Sequence, residues 1–292
     1  MKLLSYHENG IYIVWGVDEK QELRLLHMSS LPFQKEDIKV ESMDYGFRFV
    51  ELQLSGFDRP YERHGNKYIV TAPGYRMKYV SHSESRNENG LQLLFVLRDD
   101  LTDVYVDAYV QFYDGLPVMR MWQVIRNEGT DTQTVEYISG FHYEGIEKEG
   151  LVPRDEKMRV WIPHNSWQRE LNWKCYTLPE LGMDQVQPER IQRSSGMIRV
   201  SNTGNWSAKE YLPMGYLENI CVGTGLFWQI EHNGSWHWEI GDQNGHLYLA
   251  VSGPNEIYSH WFKHLAPGEA FMSVPVAVGV TGAPQGTCGG LN

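Results

Sequence analysis

The run VYVDAYVQFY at 104–113 places Val104, Val106, Ala108, Val110 and Phe112 on one side of an extended chain and Tyr105, Asp107, Tyr109, Gln111 and Tyr113 on the other. Strand side chains point alternately to opposite faces, so this period of two predicts a strand with one face in a core. The same alternation returns in GIYIVWGV (10–17), YGFRFVELQLSG (45–56) and HLYLAVSG (246–253). It also runs through MSVPVAVGV (272–280), where Met272, Val274, Val276, Val278 and Val280 are expected on one face. Hairpin-type turn signals separate these runs: Glu8-Asn9-Gly10, Asn89-Gly90, Asp114-Gly115, Asn127-Glu128-Gly129 and Asn233-Gly234. Only 31–43 and 173–180 read as irregular or briefly helical, and no fixed-period repeat is present.

Many short antiparallel strands in one open sheet would expose an apolar face and two long edges, so the chain is expected to stack two large sheets. The predicted architecture is all-β: a two-layer antiparallel β-sandwich over 1–280, followed by an irregular Gly/Pro-rich tail over 281–292. A hydrophobic content of 41 % in 292 residues supports a folded core rather than disorder. Thirty-seven acidic against 26 basic residues give a net charge of −11, which argues against nucleic acid or an anionic membrane as partner and favours a neutral ligand. No apolar run long enough to span a bilayer occurs, and the start MKLLSYHENG lacks a signal-peptide apolar region. Cys175, Cys221 and Cys288 are widely spaced and unpaired in pattern, so reduced thiols in a cytoplasm are expected.

Two stretches combine tryptophan with glycine and hydrogen-bonding residues, SNTGNWSAKEYLPMGYLEN (201–219) and HNGSWHWEIGDQNGHLYL (232–249). A flat ring for the apolar C–H face of a sugar, flanked by polar side chains, is a carbohydrate-binding chemistry. In the second stretch Trp236 and Trp238 share one strand face and are expected in the core, with His237 on the other face. Asp99-Asp100 and Thr102-Asp103 lack the spacing of a calcium loop and read as a solvated turn, so neither metal nor cofactor is expected. His142, His164, His232, His246 and His260 are dispersed and read as structural histidines.

The ordered set QLSGFDRPYERHGNKY (53–68), APGYRMKYVSHSESRNENG (72–90), QFYDGLPVMRMW (111–122), VWIPHNSW (160–167), YTLPELG (176–182), SNTGNWSAKEYLP (201–213) and EHNGSWHWEIGDQNGHLYL (231–249) resembles the N-terminal domain of glycoside hydrolase family 36 α-galactosidases. The resemblance implies a β-supersandwich of the kind galactose mutarotases share. In the family a (β/α)8 barrel follows, and its two catalytic aspartates would lie beyond Asn292, so no hydrolysis is expected of these residues alone. It further implies a homo-oligomer in which sandwich loops reach an α-galactoside, such as melibiose or raffinose, in a neighbouring active site.

Two positions match that role best. Asp58 sits between glycine and proline turns, where its carboxylate would accept hydrogen bonds from galactose hydroxyls; the alternative is a solvated aspartate paired with Arg59 or Arg63. Trp206 follows Gly204-Asn205 at an expected hairpin tip, as a sugar platform or as a rim aromatic against another subunit. Arg63 is a weaker third candidate. Two other classes stay open: a free-standing carbohydrate-binding module, and an aldose-epimerase-like enzyme, which needs a glutamate such as Glu239 and two histidines meeting in one cleft.

Overall fold

The computed structural model describes residues 1–34, 48–57, 67–184, 196–243 and 245–282. Strands dominate. In chain order they are β1 (Lys2–Glu8), β2 (Ile11–Val17), β3 (Leu23–Ser29), β4 (Leu52–Leu54), β5 (Lys78–Asn87), β6 (Gly90–Asp99), β7 (Val104–Tyr113) and β8 (Leu116–Asn127). There follow β9 (Gln133–Ile138), β10 (Phe141–Glu144), β11 (Met158–His164), β12 (Asn172–Thr177), β13 (Met197–Asn202) and β14 (Met214–Asn219). The series ends with β15 (Thr224–Ile230), β16 (Trp236–Gln243), β17 (His246–Ser252), β18 (Lys263–Leu265), β19 (Ala270–Met272) and β20 (Val276–Gly282). Among the described residues helix is confined to single turns, α1 (Ala72–Arg76), α2 (Arg154–Lys157) and α3 (Glu256–Ser259), with a 3-10 turn at Pro179–Leu181. No helix among the described residues is long and apolar enough to cross a membrane.

One layer is a ten-stranded antiparallel sheet in the order β12-β11-β14-β15-β20-β8-β7-β6-β5, with β19 also on β8. The opposing layer is divided into three smaller sheets: β1-β2-β3, β10-β17-β16-β13 and β18-β9-β4. Strand twist accumulates across a sheet, so a long sheet is covered more readily by several short ones than by one of equal width. All of them contribute to one apolar core. Trp15 of β2 packs on Phe95 of β6 with ring centroids 4.9 Å apart, and Trp228 of β15 meets Trp238 of β16 edge-on at 5.1 Å. Tryptophans 236 and 238 are both buried, as the strand period requires.

The inward face of β7 is as the alternation predicts: Val104, Val106, Ala108, Val110 and Phe112 are all fully buried. The expected single face from Met272 to Val280 is broken. Met272 pairs with Val124 of β8 and is exposed, whereas Val276 pairs with Met121 and is buried. The pairing slips by one residue across Ser273-Val274-Pro275, where Ser273 N donates to Gln123 O (2.8 Å). A one-residue slip turns every side chain to the other face, so β19 and β20 are separate strands in opposite phase.

Three other expectations are corrected. Residues 173–180 are chiefly strand β12, an edge strand whose mixed polarity hides its period but which pairs with β11 from Arg159↔Thr177 to His164↔Asn172. Of the strand expected near Phe47, the described residues 48–56 form only β4, with Glu51 beside it turning its carboxylate inward to Thr71 N (3.0 Å), and Phe47 lies outside the described residues. Asp99 is fully buried rather than solvated, accepting from Arg76 Nη2 (2.7 Å) and Thr102 Oγ1 (2.9 Å). Of the segment 31–43, most lies outside the described residues.

Candidate functional site

Strand β13 ends at Asn202, and Gly204 takes the left-handed backbone (φ 88°) that starts the loop carrying Trp206. The loop is not a hairpin tip. β13 pairs with β16, whereas β14 pairs with β11 and β15, so 203–213 crosses from the four-stranded sheet to the ten-stranded one. Its carbonyls are strapped in place by side chains from both layers. Asn202 Nδ2 donates to Trp206 O (2.8 Å), Trp236 Nε1 to Ser207 O (2.7 Å), and Asn165 Nδ2 to Ala208 O (2.7 Å). Lys209 Nζ donates to Thr203 O, and Asn165 N to Glu210 O at 2.8 Å. The backbone is therefore fixed while the Trp206 side chain is left 55 % exposed.

Trp167, 81 % exposed, stands across from it. The two rings line a hollow of about 340 Å³ with Asn165, Glu170 and Leu171. Gly204 and Asn205 border a larger cleft of about 950 Å³, bounded also by the 231–235 turn, α3 and β19. A tryptophan on a fixed backbone with a free face has only two side-chain torsions to order on binding, which suits it to stack on a sugar ring or a partner's apolar rim.

A second polar cluster lies on the outward face of β10-β17-β16-β13. The register sets His142, Ala250, Glu239 and Arg199 in one row across the sheet, with His237 opposite Ser201 in the adjoining row. His237 Nε2 donates to Glu239 Oε2 (2.9 Å), and Ser201 Oγ lies 2.6 Å from His237 Nδ1. Tyr248 donates its hydroxyl proton to Glu239 Oε1 (2.7 Å), and Tyr68 N approaches the same oxygen at 3.4 Å. Burial pushes Glu239 up, but the hydrogen bond and charge of His237, with the Tyr248 and Tyr68 bonds, outweigh it and hold the carboxyl below its ordinary range. His142, wholly buried, is held below the ordinary histidine value by desolvation, and its Nδ1 donates to Arg48 O (3.1 Å).

A carboxylate and imidazoles thus converge, as the epimerase reading requires, but other described residues are packed over them. Ile69 and Val70 pack over Tyr248 and Ala250, and Tyr258 stacks on His237 at 4.3 Å. Glu51 anchors this cover by accepting from Val70 N (3.1 Å), Thr71 N (3.0 Å) and Thr71 Oγ1 (2.7 Å). Glu239, His142 and Glu51 are all fully buried, so the cluster fastens a segment to the sheet.

Of the residues singled out from sequence, Trp206 is exposed on the strapped loop, while Asp58 and Arg63 lie outside the described residues. Trp167 was missed as a candidate although it closes the polar turn of VWIPHNSW, a signal of the same type as Trp206. Trp261 and Phe271, which line the large cleft, carried no comparable signal because their neighbours are mixed in polarity. Among the described residues no group of three or more His, Cys, Asp or Glu is placed to hold a metal ion.

No protein-family model matches the sequence, and no curated protein matches it. Solved structures similar in fold include α-galactosidases of glycoside hydrolase family 36. The chain is similar to α-galactosidase AgaA from Geobacillus stearothermophilus, with a TM-score of 0.71 and 12 % identity over 97 % of this chain and 41 % of that one. It is also similar to the galactosidase domain of the α-galactosidase-sucrose kinase AgaSK, with a TM-score of 0.68 and 16 % identity over 97 % and 41 %. The α-galactosidase from Lactobacillus brevis gives a TM-score of 0.67 and 11 % identity over 96 % and 39 %. The chain spans about two fifths of the length of these enzymes. At such identities the likeness is one of fold.

Proposed function

We propose that this chain is the non-catalytic β-sandwich domain of an α-galactosidase, working in the cytoplasm with a (β/α)8 catalytic barrel. The domain holds a homo-oligomer together and lends Trp206, with Asp58, to an α-galactoside such as melibiose or raffinose bound at a neighbouring barrel. The observation that carries this reading is the fixed loop with an open indole, on a fold that α-galactosidases share along nearly the whole chain. Trp206 stacks on the apolar face of the sugar, and Asp58 accepts from its hydroxyls. Neither residue breaks a bond; they add binding to chemistry done elsewhere.

The test is the assembled protein, this chain with its barrel, assayed on nitrophenyl α-galactoside. Trp206→Ala is expected to raise KM by about tenfold, with kcat and oligomer mass nearly unchanged. The chain without a barrel is expected to show no turnover. Turnover by these residues alone, or a KM indifferent to Trp206→Ala and Asp58→Ala alike, overturns the reading.

A further inference from the structure

The cleft of about 950 Å³ bordered by Gly204 and Asn205, whose described lining shares no residue with the hollow at Trp206, has a chemistry of its own. Its walls are pinned: Gly204 N donates to Ser235 Oγ (3.0 Å), and Asn202 Nδ2 to Gly234 O (3.2 Å). Opposite, Asn255 caps α3 by accepting from Tyr258 N (2.9 Å), and Trp261 N donates to Asn255 O (3.1 Å). These bonds set the half-buried Trp261 ring beside Phe271 at 5.5 Å, giving a rigid aromatic surface in the lining. Around it stand uncharged polar side chains, Asn205, Asn233 and Ser235, with His260 exposed at the rim.

Among the described residues the lining carries no lysine, arginine or aspartate. The one acid among its described residues, Glu231, is held by Arg120 at two points, Nε to Oε1 (2.9 Å) and Nη2 to Oε2 (2.7 Å). His232 is kept below the ordinary histidine value by desolvation, which favours its neutral form. A cleft with an aromatic floor, several hydrogen-bonding groups and no uncompensated charge rejects ionic ligands, whose desolvation it cannot offset. Its volume lies at the upper end of small-ligand sites, enough for several linked sugar rings.

We propose that this cleft binds a neutral oligosaccharide, with Trp261 as the stacking platform and Asn205 and Asn233 as hydroxyl partners. The site is complete within this one chain and needs neither barrel nor neighbour, so it gives the domain a binding activity separate from the role of Trp206.

The experiment is calorimetric titration of the full chain with the neutral tetrasaccharide stachyose at pH 7.5, repeated with tetragalacturonate as an anionic ligand of the same size. Saturable binding of stachyose is expected, weaker by about tenfold for Trp261→Ala and for the doubly substituted Asn205→Ala/Asn233→Ala surface variant. Trp206→Ala is expected to bind within about twofold of the unaltered chain. Tetragalacturonate is expected to bind at least about tenfold more weakly. Absence of saturable stachyose binding overturns the proposal. So do binding untouched by the surface variant, equal affinity for the anionic sugar, or self-association that depends on Trp261 in place of sugar binding. Loss confined to Trp206→Ala assigns the sugar to the smaller hollow instead, and also overturns it while leaving the role of Trp206 intact.

Discussion

The stretches 201–219 and 232–249 are close in sequence and alike in composition, yet the fold uses them in opposite ways. The second enters β16 and β17 and turns Glu239 and His237 onto a face sealed by Tyr68, Ile69, Val70 and Tyr258. Both Glu239 oxygens are taken from within the chain. In the first stretch the backbone of the loop is taken and the Trp206 ring is left open to water. A polar or aromatic group whose bonding capacity is spent internally stabilises the fold; one whose scaffold is satisfied while its own face stays open is equipped to bind.

The strongest challenge to this contrast is Glu51→Ala. Removing that carboxylate strips acceptors from Val70 N, Thr71 N and Thr71 Oγ1 inside a sealed face. Each buried donor left without a partner costs about 1–3 kcal/mol, so a total loss of about 3–5 kcal/mol is expected in urea unfolding. A loss below about 1 kcal/mol would mean that water reaches the face and that the cluster is open after all.

A smaller effect follows from the titration of the same cluster. His142 is depressed in the folded state, so the unfolded chain binds the proton more readily and stability declines as pH falls from about 6.5. Glu239 is also depressed, so its contribution is fully present above its unfolded value near 4.3 and is lost as pH falls through the lower folded value. Glu239→Gln should lower stability at pH 7 and flatten the acid limb below about pH 4.5, while the His142 limb remains. An acid limb unchanged by Glu239→Gln would assign it to other carboxylates.

How far these two regions could be told apart from sequence depends on what sets each one. The all-β antiparallel class was legible because period two survives wherever a strand has one buried face, as from Val104 to Phe112. The phase break at Ser273 was not, since a bulge depends on the partner strand β8 rather than on the bulged residues. Trp206 was legible as exposed because a glycine turn precedes it, though its loop crosses between sheets where a hairpin was expected. The convergence of His142 with Glu239 was hidden. Ala250 of β17 lies between them in the row, and only sheet order brings together residues so far apart in the chain.

The smallest expected effect tests the open member of the pair. Trp206→Ala removes a large ring, and were that ring core the loss would reach about 3–5 kcal/mol, as for Phe or Trp truncation in a packed interior. With 55 % of the residue exposed and the loop carbonyls held by Asn202, Trp236 and Asn165, the folded backbone does not rely on the indole. Stability should fall by less than about 1 kcal/mol in urea unfolding. Acrylamide should quench a smaller share of the remaining tryptophan fluorescence, because one of the accessible rings is gone. A core-sized loss of stability with unchanged quenching would show that Trp206 packs inward in solution, and the distinction between the sealed face and the open loop would collapse.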